Sequence, residues 1–445
     1  MKRIVLLALF VLLAACTAPG RPTESTAVPT QVTRTAEPSP VPEDTAAPTA
    51  VEPTDVPPAT AVSPSPPPSP QVTGELIVYA YDDALWAYDG QTTQMLSTGG
   101  PAYAPLLSPD GRRVLYRRPE TPTELSTEPF SLWLLDLETA EEIAVDLSVL
   151  PPYPFEFQGR NLGLPRWPRQ VAWLPGSEAV LFNTWVDFSA IGPGRLLGDD
   201  LWRWDTTTGA VRLLMPEEEP PASFTLNPDG DWLLINRPTR IEALELGTGA
   251  RRTLLEFPMV LTYSEYNWLP EPRWLPDGRT AYVAIAPADP MEAAIFDLWQ
   301  LDVQAGTAEQ FDQVEGTVYA WSPDGRSWSP DGTRLAYVSS AAEQPQVAVM
   351  AVGRGPDAFA DAVSLGETIP RILGWSPDGQ TVLVQEGEEL YGVLAGPGIR
   401  SWQLLTVGLR PAQLWSGLGD AVLLTTEEGQ VFHVTADGQG VREVR

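Results

Sequence analysis

The chain has 445 residues, with 58 acidic against 28 basic side chains and a formal charge of −30. That balance disfavours both nucleic-acid binding through a basic patch and electrostatic attachment to anionic lipid. A single cysteine and a single histidine exclude an internal disulfide and a His/Cys metal cluster, so the fold must be held by its apolar core, for which 43% hydrophobic residues suffice.

From the start, Met1-Lys2-Arg3 leads into an apolar stretch from Ile4 to Leu13 and then Ala14-Ala15-Cys16. Two basic residues, a short hydrophobic core and small residues before a cut site describe a secretory signal, and the stretch is too short for a spanning helix. Leu13-Ala14-Ala15-Cys16 resembles the bacterial lipobox, which implies that Cys16 becomes the lipidated first residue of the mature protein. Residues 1–15 are therefore expected to be a lipoprotein signal peptide. Residues 16–73 follow as the lipidated cysteine and a disordered linker rich in Pro, Thr and Ser, closing on Ser63-Pro64-Ser65-Pro66-Pro67-Pro68-Ser69-Pro70. Such a composition cannot bury enough apolar area to fold and tends towards extended polyproline II, with a contour of roughly 180 Å at most.

Residues 74–445 carry a two-part repeat. One half is a Pro-Asp-Gly-type turn leading into an apolar run: Leu107-Ser108-Pro109-Asp110-Gly111, Leu174-Pro175-Gly176, Asn227-Pro228-Asp229-Gly230, Leu275-Pro276-Asp277-Gly278, Trp328-Ser329-Pro330-Asp331-Gly332, Trp375-Ser376-Pro377-Asp378-Gly379 and the degraded Trp415-Ser416-Gly417-Leu418-Gly419. Ser and Pro suit the first two positions of a type I turn and Gly supplies a left-handed residue after it, so each phrase predicts a hairpin. The other half runs from Leu85-Trp86-Ala87-Tyr88-Asp89 through Leu132-Trp133-Leu134-Leu135-Asp136 to Val431-Phe432-His433-Val434, eight copies in all. A period of this length with four short strands per unit predicts an all-β propeller of four-stranded antiparallel blades. Eight blades are favoured, the first of three strands, with seven as the alternative count. The tandem Trp321-Ser322-Pro323-Asp324-Gly325 and Trp328-Ser329-Pro330-Asp331-Gly332 leaves no room for a strand pair between its copies and predicts one blade there.

The Trp-Ser-Pro-Asp-Gly turn, apolar strand and Leu-Trp-x-x-Asp strand together resemble the WD-repeat-like β-propeller of the TolB type, over residues 74–445. The resemblance implies the fold. The α/β domain that precedes the propeller in that family has no counterpart here, so no Tol-system role is carried over.

No chemistry stands out. There is no Gly-x-Ser-x-Gly elbow, P-loop or EF-hand loop, and no catalytic, cofactor-binding or metal-ligating residue is assigned. His433, inside a strand, is expected to be a packing or surface residue. Asp187, Asp199, Asp200 and Glu217-Glu218-Glu219 form acidic clusters on long loops, the one route to a carboxylate-dependent glycan hydrolase or lyase, and are expected to be solvated surface. Five long insertions (119–130, 149–169, 186–200, 257–272 and 286–297) all join strands on one face of the predicted propeller. Their aromatic residues Tyr153, Phe155, Phe157, Trp167, Phe188, Tyr263, Tyr266 and Trp268 are the candidate binding face.

The expected protein is a monomeric, lipid-anchored, extracytoplasmic binding or scaffold module for an envelope protein, peptide or glycan. A structural or sensory envelope component is the further alternative to an enzyme. Because the linker and acidic propeller offer no second attachment, Cys16→Ala should release the protein from membranes into the soluble fraction. Fractionation after a salt wash checks this, and a membrane-bound variant would overturn it.

Overall fold

The computed structural model describes residues 76–445 apart from 98, 122–128, 158, 188–193, 265, 293, 317–326, 340–343, 353–358, 367, 396–399, 406–410, 417–421, 427–428 and 436. The signal, Cys16 and linker lie outside the described residues.

All regular elements among the described residues are strands, arranged as eight antiparallel sheets in chain order plus one hairpin. Blade two is representative: Tyr103–Leu107 is innermost, followed outwards by Arg113–Pro119, Phe130–Asp136 and Glu142–Ala144. Among the described residues blade one has three strands, Ile77–Tyr81, Ala84–Tyr88 and Thr93–Met95, and the first of them corresponds to the strand that follows the turn elsewhere. Blade three carries an additional short strand, Arg195–Leu197, on the far end of Ala179–Asp187. The hairpin of Tyr153–Phe157 and Arg160–Leu164 precedes its inner strand, Trp167–Trp173.

The buried side chains explain the count. They form eight clusters, each drawn from two consecutive sheets. Leu115 and Leu134 of blade two meet Phe182 and Trp202 of blade three, and Leu234 and Ile241 of blade four meet Val283 and Leu301 of blade five. The last seam joins Trp415, Leu423 and Val431 of blade eight to Ile77, Tyr79 and Tyr88 of blade one, closing the ring at eight blades. Among the described residues no strand crosses that seam. Side chains seal it: Arg442 Nη2 donates to Tyr88 Oη at 2.6 Å and to the Gly90 carbonyl at 2.9 Å, and the Arg445 guanidinium lies 3.6 Å from the Trp86 ring centre. The strands of the middle positions are apolar on both faces because each has a neighbouring blade on either side; all nine residues of Ala179–Asp187 are buried.

The repeated turns take the predicted form, with Gly111, Gly230, Gly278, Gly332 and Gly379 all at φ between 66° and 76°. The serine does more than start the turn. Ser108 is buried, its hydroxyl donates to Asp110 Oδ1 at 2.6 Å, and its Oγ accepts from the Arg113 amide at 2.9 Å. Ser329 and Ser376 repeat this closure, and Asn227 substitutes for it by accepting from the Asp231 and Trp232 amides. In the Leu174-Pro175-Gly176 turn the left-handed residue is Ser177, at φ 64°, rather than Gly176.

Blade six holds the tandem. Arg334–Ser339, Gln346–Ala351 and Phe359–Val363 form one sheet among the described residues, and Trp328 bridges to Leu335 on its inner side. The second copy therefore makes the turn, as its Ser329 and Gly332 hydrogen bonds show. The first copy, 321–326, lies outside the described residues. Buried Trp375 of blade seven donates its indole N–H to the Ser327 carbonyl at 3.0 Å.

Two tests follow from this arrangement. Trp375→Phe should cost about 1–3 kcal/mol in denaturant unfolding, since it leaves the buried Ser327 carbonyl unpaired and takes ring volume out of the seam. Deleting residues 321–327 should leave stability unchanged or raised, because Ala320 then presents the carbonyl and loop shortening costs little; an unfolded product would show that both copies are needed.

Candidate binding face

In an antiparallel blade the loops from second to third strand, and from fourth strand to the next blade, leave on the same face. The sheet order makes the strands that flank the five long insertions, in blades two to five, open on that face, while the short Pro-Asp-Gly turns lie at the other end of the strands.

On blade five, two of these insertions enclose a cleft of about 240 Å³ lined by Val260, Leu261, Tyr263, Trp268, Met291 and Phe296, among others. Val260 and Phe296 are buried and form its base, whereas Tyr263 is 66% and Met291 73% exposed. The two loops are stitched together: the Leu261 amide donates to the Ala288 carbonyl at 2.8 Å, and the Tyr263 hydroxyl sits 2.8 Å from both carboxylate oxygens of Asp289. That hydrogen bond to Asp289 holds the Tyr263 phenol above its ordinary pKa. Tyr263 also adopts φ 55°, a left-handed conformation that strains a bulky residue by about 1–3 kcal/mol. Trp268 is half-buried, packs edge-on to Phe257 with centroids 6.2 Å apart, and touches the core on both sides of blade five.

Towards blade three the remaining candidates gather separately. Tyr153 and Phe155 are half-buried on the extra hairpin, with the Arg166 guanidinium 5.1 Å from the Tyr153 ring centre. Trp167 begins the inner strand, half-buried, with its ring 5.7 Å from that of Phe130. The Phe157 side chain and Phe188 lie outside the described residues. Of the eight expected residues, Tyr263, Tyr266 and Trp268 thus belong to the blade-five insertions, and Tyr153, Phe155 and Trp167 to the blade-three end. Met259, Leu261, Met291 and Ile295 of the same insertions are also exposed, and of these Leu261 and Met291 line the cleft. Apolar residues within proline-containing insertions were the available signal.

The expectation that the acidic clusters are solvated surface holds for Glu218 and Glu219 and is corrected for Asp187, Asp199 and Asp200. Asp187, Asp199 and Asp200 are buried because arginines distant in sequence meet them. Arg237, itself 1% exposed, places Nη2 2.9 Å from Asp199 and Nε 2.8 Å from Glu242. Asp199 also accepts from the Glu218 and Glu219 amides, and Asp200 from the Thr184 amide and hydroxyl and the Trp202 indole. Arg195 approaches Asp187 at 3.7 Å, and Arg166 pairs with Glu217 at 2.7 Å. Burial works against the Arg166 charge, but Glu217 and Asp200 more than offset it and hold its pKa above the ordinary value. These carboxylates fasten the insertion between the second and third strands of blade three to blade four. Glu218 and Glu219 remain exposed, paired with Arg251 and Arg240. His433 is half-buried against Tyr88, ring centroids 5.6 Å apart. Among the described residues no group of three or more His, Cys, Asp or Glu is disposed to hold a metal ion.

No family model matches the chain, and no curated protein matches it. Solved structures that resemble it include TolB from Acinetobacter baumannii, at 15% identity and a TM-score of 0.33 over 65% of this chain; the match spans 63% of TolB, less than two thirds of its length. Kuenenia stuttgartiensis hydrazine synthase matches at 12% identity and a TM-score of 0.40, over 77% of this chain and 94% of that one. The propeller assignment rests on the sheet order and the eight seams.

Arg237→Ala should destabilise the fold by about 3–5 kcal/mol, since it strands the buried Asp199 and Glu242 charges. Urea unfolding of the variant checks this. A loss below about 1 kcal/mol would show that water replaces the pair.

Proposed function

We propose that the chain is a lipid-anchored, extracytoplasmic binding module whose long-loop face receives a protein or peptide segment, with an apolar side chain of that partner seated in the blade-five cleft. The observation that carries this reading is the cleft itself, an apolar recess lined by exposed Leu261, Tyr263 and Met291 on the face that the long insertions of blade five share. An exposed apolar patch around a formed recess is the pattern of an anchor-residue site. Two methionines, Met259 and Met291, add surface that adapts to different side-chain shapes. A glycan would need convergent polar groups around a stacking ring, whereas this lining is mainly apolar, so protein or peptide is favoured over sugar.

The loops are also held ready. The Leu261–Ala288 and Tyr263–Asp289 hydrogen bonds fix their spacing before any partner arrives, which lowers the ordering cost of binding. The carboxylate-enzyme alternative gains no support from the buried acids: both oxygens of Asp199 and of Asp200 are occupied by backbone amides, hydroxyl, indole or guanidinium donors. The signal, Cys16 and the proline-rich linker supply the anchor and spacer in this reading.

The test uses the full chain carrying Cys16→Ala as bait on envelope extract, beside the same bait with Leu261→Asp and Met291→Asp added. Both positions are exposed, so thermal unfolding should shift little, while capture of the partner should fall at least about tenfold, as for loss of a hot spot. Equal capture by both baits would overturn the assignment of the cleft.

A further inference from the structure

Elsewhere on this acidic chain many carboxylates meet an arginine: Glu142 meets Arg118, Glu217 Arg166, Asp199 Arg237, Glu218 Arg251, Glu219 Arg240 and Asp302 Arg279. The two insertions around the blade-five cleft depart from that pattern. Residues 257–272 and 286–297 hold Glu265, Glu271, Asp289, Glu292 and Asp297, and not one lysine, arginine or histidine. Between Arg252 and Arg273, and again between Arg279 and Arg326, the chain carries no basic residue at all.

Two of these acids stand beside the cleft. Asp289 is half-buried and immediately precedes Pro290, which lines the recess, and Glu292 is exposed and immediately follows Met291, which also lines it. Asp289 accepts from the Tyr263 hydroxyl and from the Met291 amide at 2.9 Å, both neutral donors that leave its charge in place. Among the described residues neither Asp289 nor Glu292 is in an ion pair. The hydrogen bond to Asp289 is the main cause of the raised Tyr263 pKa, and the negative charges of Asp289 and Glu292 add to it, so both charges reach the rim.

An apolar recess edged by unanswered negative charge fits an apolar side chain with a cation beside it. Complementary charge speeds the encounter and sets the register in which the anchor enters. The long stem of a lysine or arginine also covers apolar rim surface such as Leu261 and Met291 while its head reaches the carboxylates. We propose that the segment received by the blade-five cleft is basic, with its apolar anchor in the recess and an adjacent lysine or arginine on Asp289 and Glu292. This rests on the reading of that cleft as a protein or peptide site. A second copy of the chain, at a formal charge of −30, does not supply such a segment readily, and residues 16–73 are themselves net acidic.

The experiment selects phage-displayed random dodecapeptides on the full chain carrying Cys16→Ala, and on the same chain with Leu261→Ser and Met291→Ser, which cut back the apolar rim without changing charge. Clones that only the first chain retains should carry lysine or arginine beside an apolar residue. A synthetic peptide of the strongest such clone is then titrated by fluorescence polarisation. Asp289→Asn with Glu292→Gln should weaken it about fivefold, the size expected of two exposed ion pairs, and raising NaCl from about 50 to about 300 mM should remove most of that difference. Asparagine at 289 still accepts from the Tyr263 hydroxyl, so Tm should not move; Glu292→Gln alone serves if the double variant does not fold. Cleft-dependent clones without basic residues, or binding that the neutral variants leave unchanged, would overturn the basic partner and leave the cleft reading standing. Finding no clone that distinguishes the two chains would overturn the cleft reading and this inference with it. A dimer of the parent chain that Leu261→Ser dissociates in sedimentation would make a second copy the occupant and also overturn the inference.

Discussion

Everything in this molecule depends on how one blade is fastened to the next. A twisted four-stranded sheet has two apolar faces and no means of burying both alone, so each blade exists only between its neighbours. The inner strand is also an edge strand, which leaves main-chain carbonyls without a partner in their own sheet. The repeat meets both needs with one residue. Trp173 donates its indole N–H to the Leu106 carbonyl at 3.1 Å, Trp274 to Thr225 at 3.0 Å, and Trp375 to Ser327 at 3.0 Å. In each case the acceptor lies in the inner strand region of the preceding blade. The large ring fills the seam and its polar tip satisfies an edge carbonyl, and burial of an indole requires such a partner. These links join blades two to three, four to five and six to seven; blades three and four are held by the Arg237–Asp199 pair and the Phe224 amide on Gln170, blades seven and eight by the Thr381 hydroxyl on the Asp437 carbonyl, and blades eight and one by the Arg442 and Arg445 contacts.

Such a ring was visible in the sequence because its two signals are local. A turn needs Pro, Asp and Gly within a few residues, and a strand buried on both faces needs a run of apolar residues. Neither depends on anything distant. Even the worn copy at Trp415-Ser416 retains its strand pair, Pro411–Ser416 with Val422–Thr426, because the apolar runs survive where the turn does not. The three-stranded first blade followed from the absence of a turn phrase before Leu76.

The acid–arginine network was not visible for the opposite reason. Asp199 finds Arg237 across 38 positions and Arg166 finds Glu217 across 51, separations that composition and spacing do not encode. Clustered carboxylates in an acidic chain look the same whether they face water or guanidinium. The long-loop face proposed for binding fell between these cases. Its location followed from strand order and insertion length, both local, whereas the burial of each aromatic depended on what the insertion folded against. Tyr263 remained outside; Trp268 turned inwards far enough to touch two seams.

That position of Trp268 would couple recognition to stability in the proposed site. Leu261, Tyr263 and Met291 stand on loops beyond the seams, so the cleft rim is free to vary without loosening the ring. Trp268 lines the same cleft while packing against the clusters on both sides of blade five. Its floor is thus made of the ring itself, and a ligand pressing on the indole presses on two inter-blade seams at once. A rigid floor with a variable rim lets one scaffold hold a recess open in water. It also explains how a strained Tyr263 is tolerated: its hydroxyl is held by Asp289 on the facing loop, and both loops spring from strands that the seams already fix.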